Sequence, residues 1–238
     1  GEVELDRDPD LFVFMGSTQI ELSFVVSEGI KSFEDLKGKT LAMDALTTGF
    51  AFVLYRMLDN AGLKPDDYKM VSVGATPHRW EAVQKGEHAG TLLIEPFTGQ
   101  ARAGGYTILE NSQQTFKNYP GQMFGAMRGW ANKNRPSMIS FIQGYLDALD
   151  WILNPSNKAE AGTILGTNMP QMPEKAVAPA LDKLLSPQTG LVPMGEVDMK
   201  GLETVLEVRS QYAPQGNQLT DTDRYLDLSF YKEAVANR

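Results

Sequence analysis

Three short stretches hold the residues best able to bind or react. "AMDALTTGF" carries Asp44 and the run Thr47-Thr48-Gly49, "GATPHRW" carries His78 and Arg79, and "IEPF" carries Glu95 and Phe97. Hydroxyls and a glycine where a helix begins, with a guanidinium nearby, suit a small anion. The first N–H groups of a helix have no internal acceptor, and its dipole favours negative charge there. Helix capping by one threonine accounts for the pair equally well, and the two roles are compatible because one residue can cap while its neighbour binds. Arg79 opens a helix, where its charge opposes the dipole. A bound anion would answer that charge, and so would a salt bridge to Glu81 or Glu95. Glu95 itself reads as a hydrogen-bond acceptor for a ligand or as that ion-pair partner.

Covalent and metal chemistry have little to work with. There is no cysteine, which removes disulfides, thiolate metal sites and a Cys nucleophile. The chain has 2 histidines, His78 and His88, so a His cage lacks ligands and a Ser-His-Asp triad would have to use one of them. No phosphate loop, dinucleotide fingerprint or nucleophile elbow is present. We therefore expect no catalytic residue, no metal and no cofactor.

The elements that must hold these stretches are legible from pattern. "LFVFM" and "ELSFVVS" read as strands, and "SFEDLKGK" as a short helix with Ser32 as N-cap, Asp35 at capping-box distance and Gly38 as stop. A strand–helix rhythm follows. "KTLAMD" is a strand, and Phe50, Val53, Leu54, Met57, Leu58 and Ala61 lie on one helical face that Gly62 ends. "KMVSV", "TLLI" and "YTIL" are further strands, separated by the helical "PHRWEAVQKG" and the turn "PFTGQARAGG". Strand–helix–strand repetition with short loops predicts a parallel sheet, and ligands bind such sheets at the carboxyl ends of the strands. Asp44, Thr47, Thr48, Gly49, Arg79, Glu95 and Phe97 all follow strand ends. Beyond residue 126 the chain reads as helical. Met138, Ile142, Tyr145, Leu149 and Ile152 mark one long amphipathic helix, with others near 157–165, 173–185 and 198–212.

With 238 residues, 42% of them hydrophobic and 22% charged, the chain suits a globular protein of one large domain or two lobes. Its net charge of -8 without a basic run argues against nucleic acid and anionic membrane as partners.

"GIKSFEDLKGKTLAMDALTTGFAFVLYRMLDNAGL" resembles the "DLkGk…llL-x-aGl" passage of the NMT1/THI5-like solute-binding proteins of ABC transporters, a family that includes aliphatic sulfonate, taurine and nitrate binders. The likeness continues through "AVQKGEHAGTLLIEPFTGQARAGGYTIL", "GWANKNRPSMISFIQGYLDALDWILNPSNKAEA" and "DRYLDLSFYKEA". It implies an α/β, two-lobe type II periplasmic binding protein fold with the ligand clamped between the lobes. "ELSFVV" and "QMFGAMRGW" then fall at the crossovers, residues 30–125 form the second lobe, and 1–29 with 126–238 form the first. Family members carry further first-lobe elements before the equivalent of "LFVFMGST", so the first lobe is expected to lack its N-terminal part.

The resemblance places ligand contacts at Ser17, Thr18 and Gln19, at Thr47, Thr48 and Gly49, and around Glu95. Phe50, Phe97 and Phe124 offer apolar walls to an aromatic carboxylate, though such rings also read as core. The implied protein is a monomeric, periplasmic binder of a small carboxylate or sulfonate, its signal peptide absent, that delivers to a membrane permease. An enzyme on the same fold, pyrimidine- or menaquinone-pathway-like, and a ligand-sensing domain are the alternatives. The cysteine-rich motif of the pyrimidine synthases is missing here.

Overall fold

The computed structural model describes residues 10–170, 172–213 and 218–238. The chain forms two compact units, the first built from residues up to Ile20, Pro120–Leu202 and Asp221–Arg238, the second from Glu21–Tyr119 and Glu203–Thr220.

In chain order the elements begin with β1 (Leu11–Gly16), β2 (Ser23–Val26), β3 (Lys39–Met43), α1 (Gly49–Asn60), β4 (Tyr68–Ser72), α2 (Thr76–Gln84) and β5 (Gly90–Leu93). Next come α3 (Phe97–Ala103), β6 (Thr107–Asn111), α4 (Ser112–Thr115), β7 (Met123–Met127), α5 (Arg128–Lys133) and α6 (Arg135–Leu153). The chain closes with α7 (Lys158–Asn168), α8 (Glu174–Leu184), α9 (Met199–Tyr212) and α10 (Ser229–Ala236). Among the described residues no helix is long and apolar enough to cross a membrane.

The second unit is a five-stranded sheet in the order β4-β3-β5-β2-β6. β3 runs parallel to β4 and β5, as the strand–helix rhythm predicts. β2 runs antiparallel to both β5 and β6, so the sheet is mixed and not purely parallel. "SFVV" is buried at every position, which fits a central strand covered on both faces. The sheet closes tightly at Gly90, where a Cβ would stand 2.9 Å from Val25 O and 3.0 Å from a Phe24 ring carbon. α1 buries Ala51, Phe52, Val53, Leu54, Met57 and Leu58, and α2 buries Trp80, Ala82 and Val83. Gly62 and Gly86 end these helices at φ 86° and 72°, the left-handed region that glycine adopts without penalty.

Two expectations are corrected in this unit. The expected Ser32 cap is absent. Instead the Asp35 carboxylate accepts from Lys31 N, Ser32 N and Ser32 Oγ at 2.9–3.0 Å, and these bonds hold its pKa below the usual value. Residues 21–29 and 203–220 also group with the second unit instead of the first. β2 is hydrogen-bonded into this sheet. The later part of α9 is tied to α1 by Arg56–Glu207 at 2.8 Å, Tyr212 Oη to Asp59 at 3.3 Å and Arg209 over the Phe52 ring.

The first unit pairs β1 with β7 antiparallel. Phe12, Phe14 and Met15 from β1 pack with Met138, Ile142, Leu146 and Leu149 from α6 and with Phe230 and Ala234 from α10. Tyr145 and Ile152 lie partly buried on the same stripe, so the long-helix pattern read from sequence is the face that meets β1. Phe12 stacks on Phe230 with ring centroids 5.6 Å apart.

Candidate functional site

The carboxyl ends of β3, β4 and β5 leave the second unit's sheet along one edge, because the three strands are parallel. Beyond β3, Thr48 takes an extended conformation (φ -85°, ψ 164°) and caps α1, its Oγ1 accepting from Ala51 N at 3.1 Å. The same hydroxyl donates to Asp44 Oδ1 at 2.8 Å. Its single hydrogen is therefore committed, and Thr48 offers a ligand none. Thr47 is exposed, with no hydrogen bond among the described residues. Gly49 N and Phe50 N, the first two donors of α1, likewise lack an acceptor among the described residues. Thr48→Val should cost about 1 kcal/mol of stability through the lost cap, read as a lower urea midpoint at unchanged slope.

Arg79 does not sit as the sequence reading expected. It is 1% exposed and pairs with neither Glu81 nor Glu95. Its Nε donates to Thr91 Oγ1 at 3.1 Å, Nη1 to Gly74 O at 2.7 Å, and Nη2 to Thr76 Oγ1 and Leu92 O, both at 3.2 Å. Thr91 passes its own hydrogen to Ala42 O at 2.7 Å. The guanidinium thus joins the ends of β3, β4 and β5, and four of its five N–H groups are used. Every acceptor is neutral. Burial lowers its pKa, and the nearby Asp44 charge partly restores it. The ring of Phe50, a first-turn residue of α1, has its centroid 6.0 Å from the guanidinium carbon. Gly74, at φ 109°, makes the turn that aims its carbonyl at Arg79.

The remaining predicted residues divide. Glu95 caps α3 by accepting from Gly99 N at 3.0 Å, and it lies 3.6 Å from Arg102. Phe97 packs on the core of Val25, Trp80, Val83, Leu93 and Ala101. Both therefore carry a structural role. In the first unit, Ser17 N and Thr18 N donate to Gln122 O at 3.0 and 3.2 Å, Gln19 N donates to Gly190 O at 2.7 Å, and Val192 N donates to Ser17 O at 2.9 Å. Ser17 Oγ stands 3.4 Å from the Tyr145 hydroxyl. The Gln19 side chain is half-buried and makes no hydrogen bond among the described residues. Phe124 packs against Phe14, Phe141 and Tyr145 as core.

One residue escaped the sequence reading. Tyr119 donates to Gly49 O at 3.4 Å, and its ring packs at a 32° tilt on Phe116 with centroids 4.9 Å apart. Burial pushes its phenol up to about 12. "NYP" carries no signal that would bring it to α1. Among the described residues no group of three His, Cys, Asp or Glu could hold a metal.

This arrangement of mixed-sheet α/β units, with candidate binding groups at strand ends, is a periplasmic binding protein fold. The NMT1-like family profile matches residues 21–166, and the chain belongs to that family. None of the curated proteins matches it. Among solved structures, the periplasmic aliphatic sulphonate binding protein SsuA of Escherichia coli is similar at a TM-score of 0.68 and 22% identity, over 92% of this chain and 69% of that one. The periplasmic nitrate-binding protein NrtA of Synechocystis PCC 6803 gives 0.71 and 13%, over 99% and 69%. The desulfurization enzyme DSZB gives 0.63 and 12%, over 96% and 80%. At these identities the likeness is one of fold.

Proposed function

We propose that the chain is the extracytoplasmic, periplasmic solute-binding component of an ABC importer, taking a small organic carboxylate or sulfonate at the start of α1 for a membrane permease. One observation carries this reading: Gly49 N and Phe50 N, the first donors of α1, have no acceptor among the described residues. Each N–H given to an anion is a charge-assisted bond of about 1.5–3 kcal/mol. The names of SsuA and NrtA, binders of aliphatic sulphonate and of nitrate, support a small anion. Ser17, Thr18 and Gln19 stay candidate contacts of the first unit, with Gln19 making no side-chain hydrogen bond among the described residues.

Gly49→Pro tests the proposal. Proline is favoured at the first helical position, and Thr48 already holds the extended conformation that must precede it. A Cβ there meets Tyr119 Oη at an ordinary 3.5 Å. The variant should fold like the parent, lack one donor, and bind ethanesulfonate, propionate or benzoate about tenfold more weakly by titration calorimetry. Gly49→Ala, which keeps the N–H, should bind as the parent does. Equal affinity in Gly49→Pro would move the site elsewhere. DSZB shows that this fold also serves an enzyme. Recovery of the bound probe chemically unchanged after prolonged incubation supports binding without turnover, and its conversion would favour the enzyme.

A further inference from the structure

Of the two hydroxyls that the sequence offers to a ligand at this site, that of Thr47 is exposed, while that of Thr48 has given its hydrogen to Asp44. The geometry points to the Tyr119 hydroxyl as the donor that takes its place, so that an oxyanion at the start of α1 is held by Gly49 N, Phe50 N and Tyr119 Oη together. This rests on the anion reading above.

Four observations carry it. The Tyr119 oxygen lies 3.5 Å from where a Gly49 Cβ would stand, so it borders the residue whose N–H is free. Its only hydrogen bond among the described residues is to Gly49 O, and at 3.4 Å that bond is long for a hydroxyl donor, whose usual reach is about 2.7–2.8 Å. An anionic acceptor would hold the hydrogen better than this carbonyl does. The ring packs at a 32° tilt on Phe116, which is buried and itself lies under the Arg56 guanidinium, so the hydroxyl is positioned before a ligand arrives. The phenol stays protonated to about pH 12, so the donor persists through the whole neutral range.

Three donors from different directions suit an anion with two or more acceptor oxygens, a carboxylate or sulfonate, over a spherical halide. Tyr119→Phe keeps the ring and its packing and removes only the O–H. Its affinity for ethanesulfonate should fall about fivefold, with the melting temperature of the unliganded protein within a degree of the parent. Gly49→Pro is measured alongside. If Gly49→Pro weakens binding and Tyr119→Phe does not, the Tyr119 assignment is wrong and the anion site stands. If neither weakens binding, the helix-start site itself is wrong and the Tyr119 assignment goes with it. A Tyr119→Phe protein that melts several degrees lower while binding normally would make the residue a structural brace and overturn its ligand role.

Discussion

Arg79→Ala should lower the stability of the unliganded protein by about 3 kcal/mol, a larger effect than on any exposed residue of the site. Truncation removes four hydrogen bonds at once. Leu92 O loses its buried partner and Gly74 O its half-buried one, and an unsatisfied buried acceptor costs about 1–3 kcal/mol. A cavity opens among β3, β5 and α2 and adds to the loss. Working the other way, the folded state no longer has to bury a cation without an ion pair, and that relief offsets part of the sum. Arg79→Met separates the contributions, because it refills most of the volume and restores none of the bonds, so it should recover only part of the loss. Urea denaturation of the unliganded proteins is the measurement. A side chain whose work was only to touch ligand would leave that midpoint where it was, and such a result would sink the network reading. Anion affinity should also fall, by tenfold or more, because the network holds the strand ends that precede α1 and the guanidinium lies 6.0 Å from the centroid of the Phe50 ring.

The sequence disclosed much of the second unit because local pattern and packing agree there. "KTLAM", "YKMVS" and "GTLL" are bounded by glycine or turn residues, and each strand lies where its run of β-formers does. Thr48 as a cap and Gly62 as a stop were legible for the same reason, since a single residue type meets a backbone need. Strand direction was not legible. "SFVV" says that a strand is buried on both faces and nothing about which way it runs, so β2 could not be read as the one antiparallel member. Docking of α9 was hidden likewise, because an amphipathic helix states that it has a partner without naming it. Within the site, the dipole argument found that Arg79 needs compensation but supplied the wrong kind. Its compensation comes from carbonyls and threonines of neighbouring strand ends, and these converge only in the fold. Tyr119's approach to Gly49, 70 residues away in the chain, depends on tertiary geometry in the same way.

In the first unit a large single-methyl effect is expected at Gly121, which packs against the backbone of the candidate contacts Thr18 and Gln19. A Cβ there would stand 2.6 Å from Gln19 C and 2.8 Å from Gln19 O, with Thr18 O nearer still. All three are backbone atoms, so no rotamer change relieves the clash and the two chain segments must separate. Separation stretches the bonds from Ser17 N and Thr18 N to Gln122 O and from Gln122 N to Thr18 Oγ1. Overpacking costs about 1–3 kcal/mol and each weakened bond about 1 more, so Gly121→Ala should destabilise by about 3 kcal/mol. Gly144, inside α6, is the comparison. Nothing lies within 4 Å of its Cβ position, and alanine there should stabilise by up to about 1 kcal/mol through helix propensity. The same methyl group is therefore expected to act with opposite sign at two glycines of one unit. Urea midpoints give the sign, and amide hydrogen exchange gives the place, with Ser17 and Thr18 losing protection in Gly121→Ala while α6 keeps its own. If Gly121→Ala matches the parent in both, the segment that holds Ser17, Thr18 and Gln19 is not braced by Gln122, and its proposed role as a fixed ligand contact loses its physical basis.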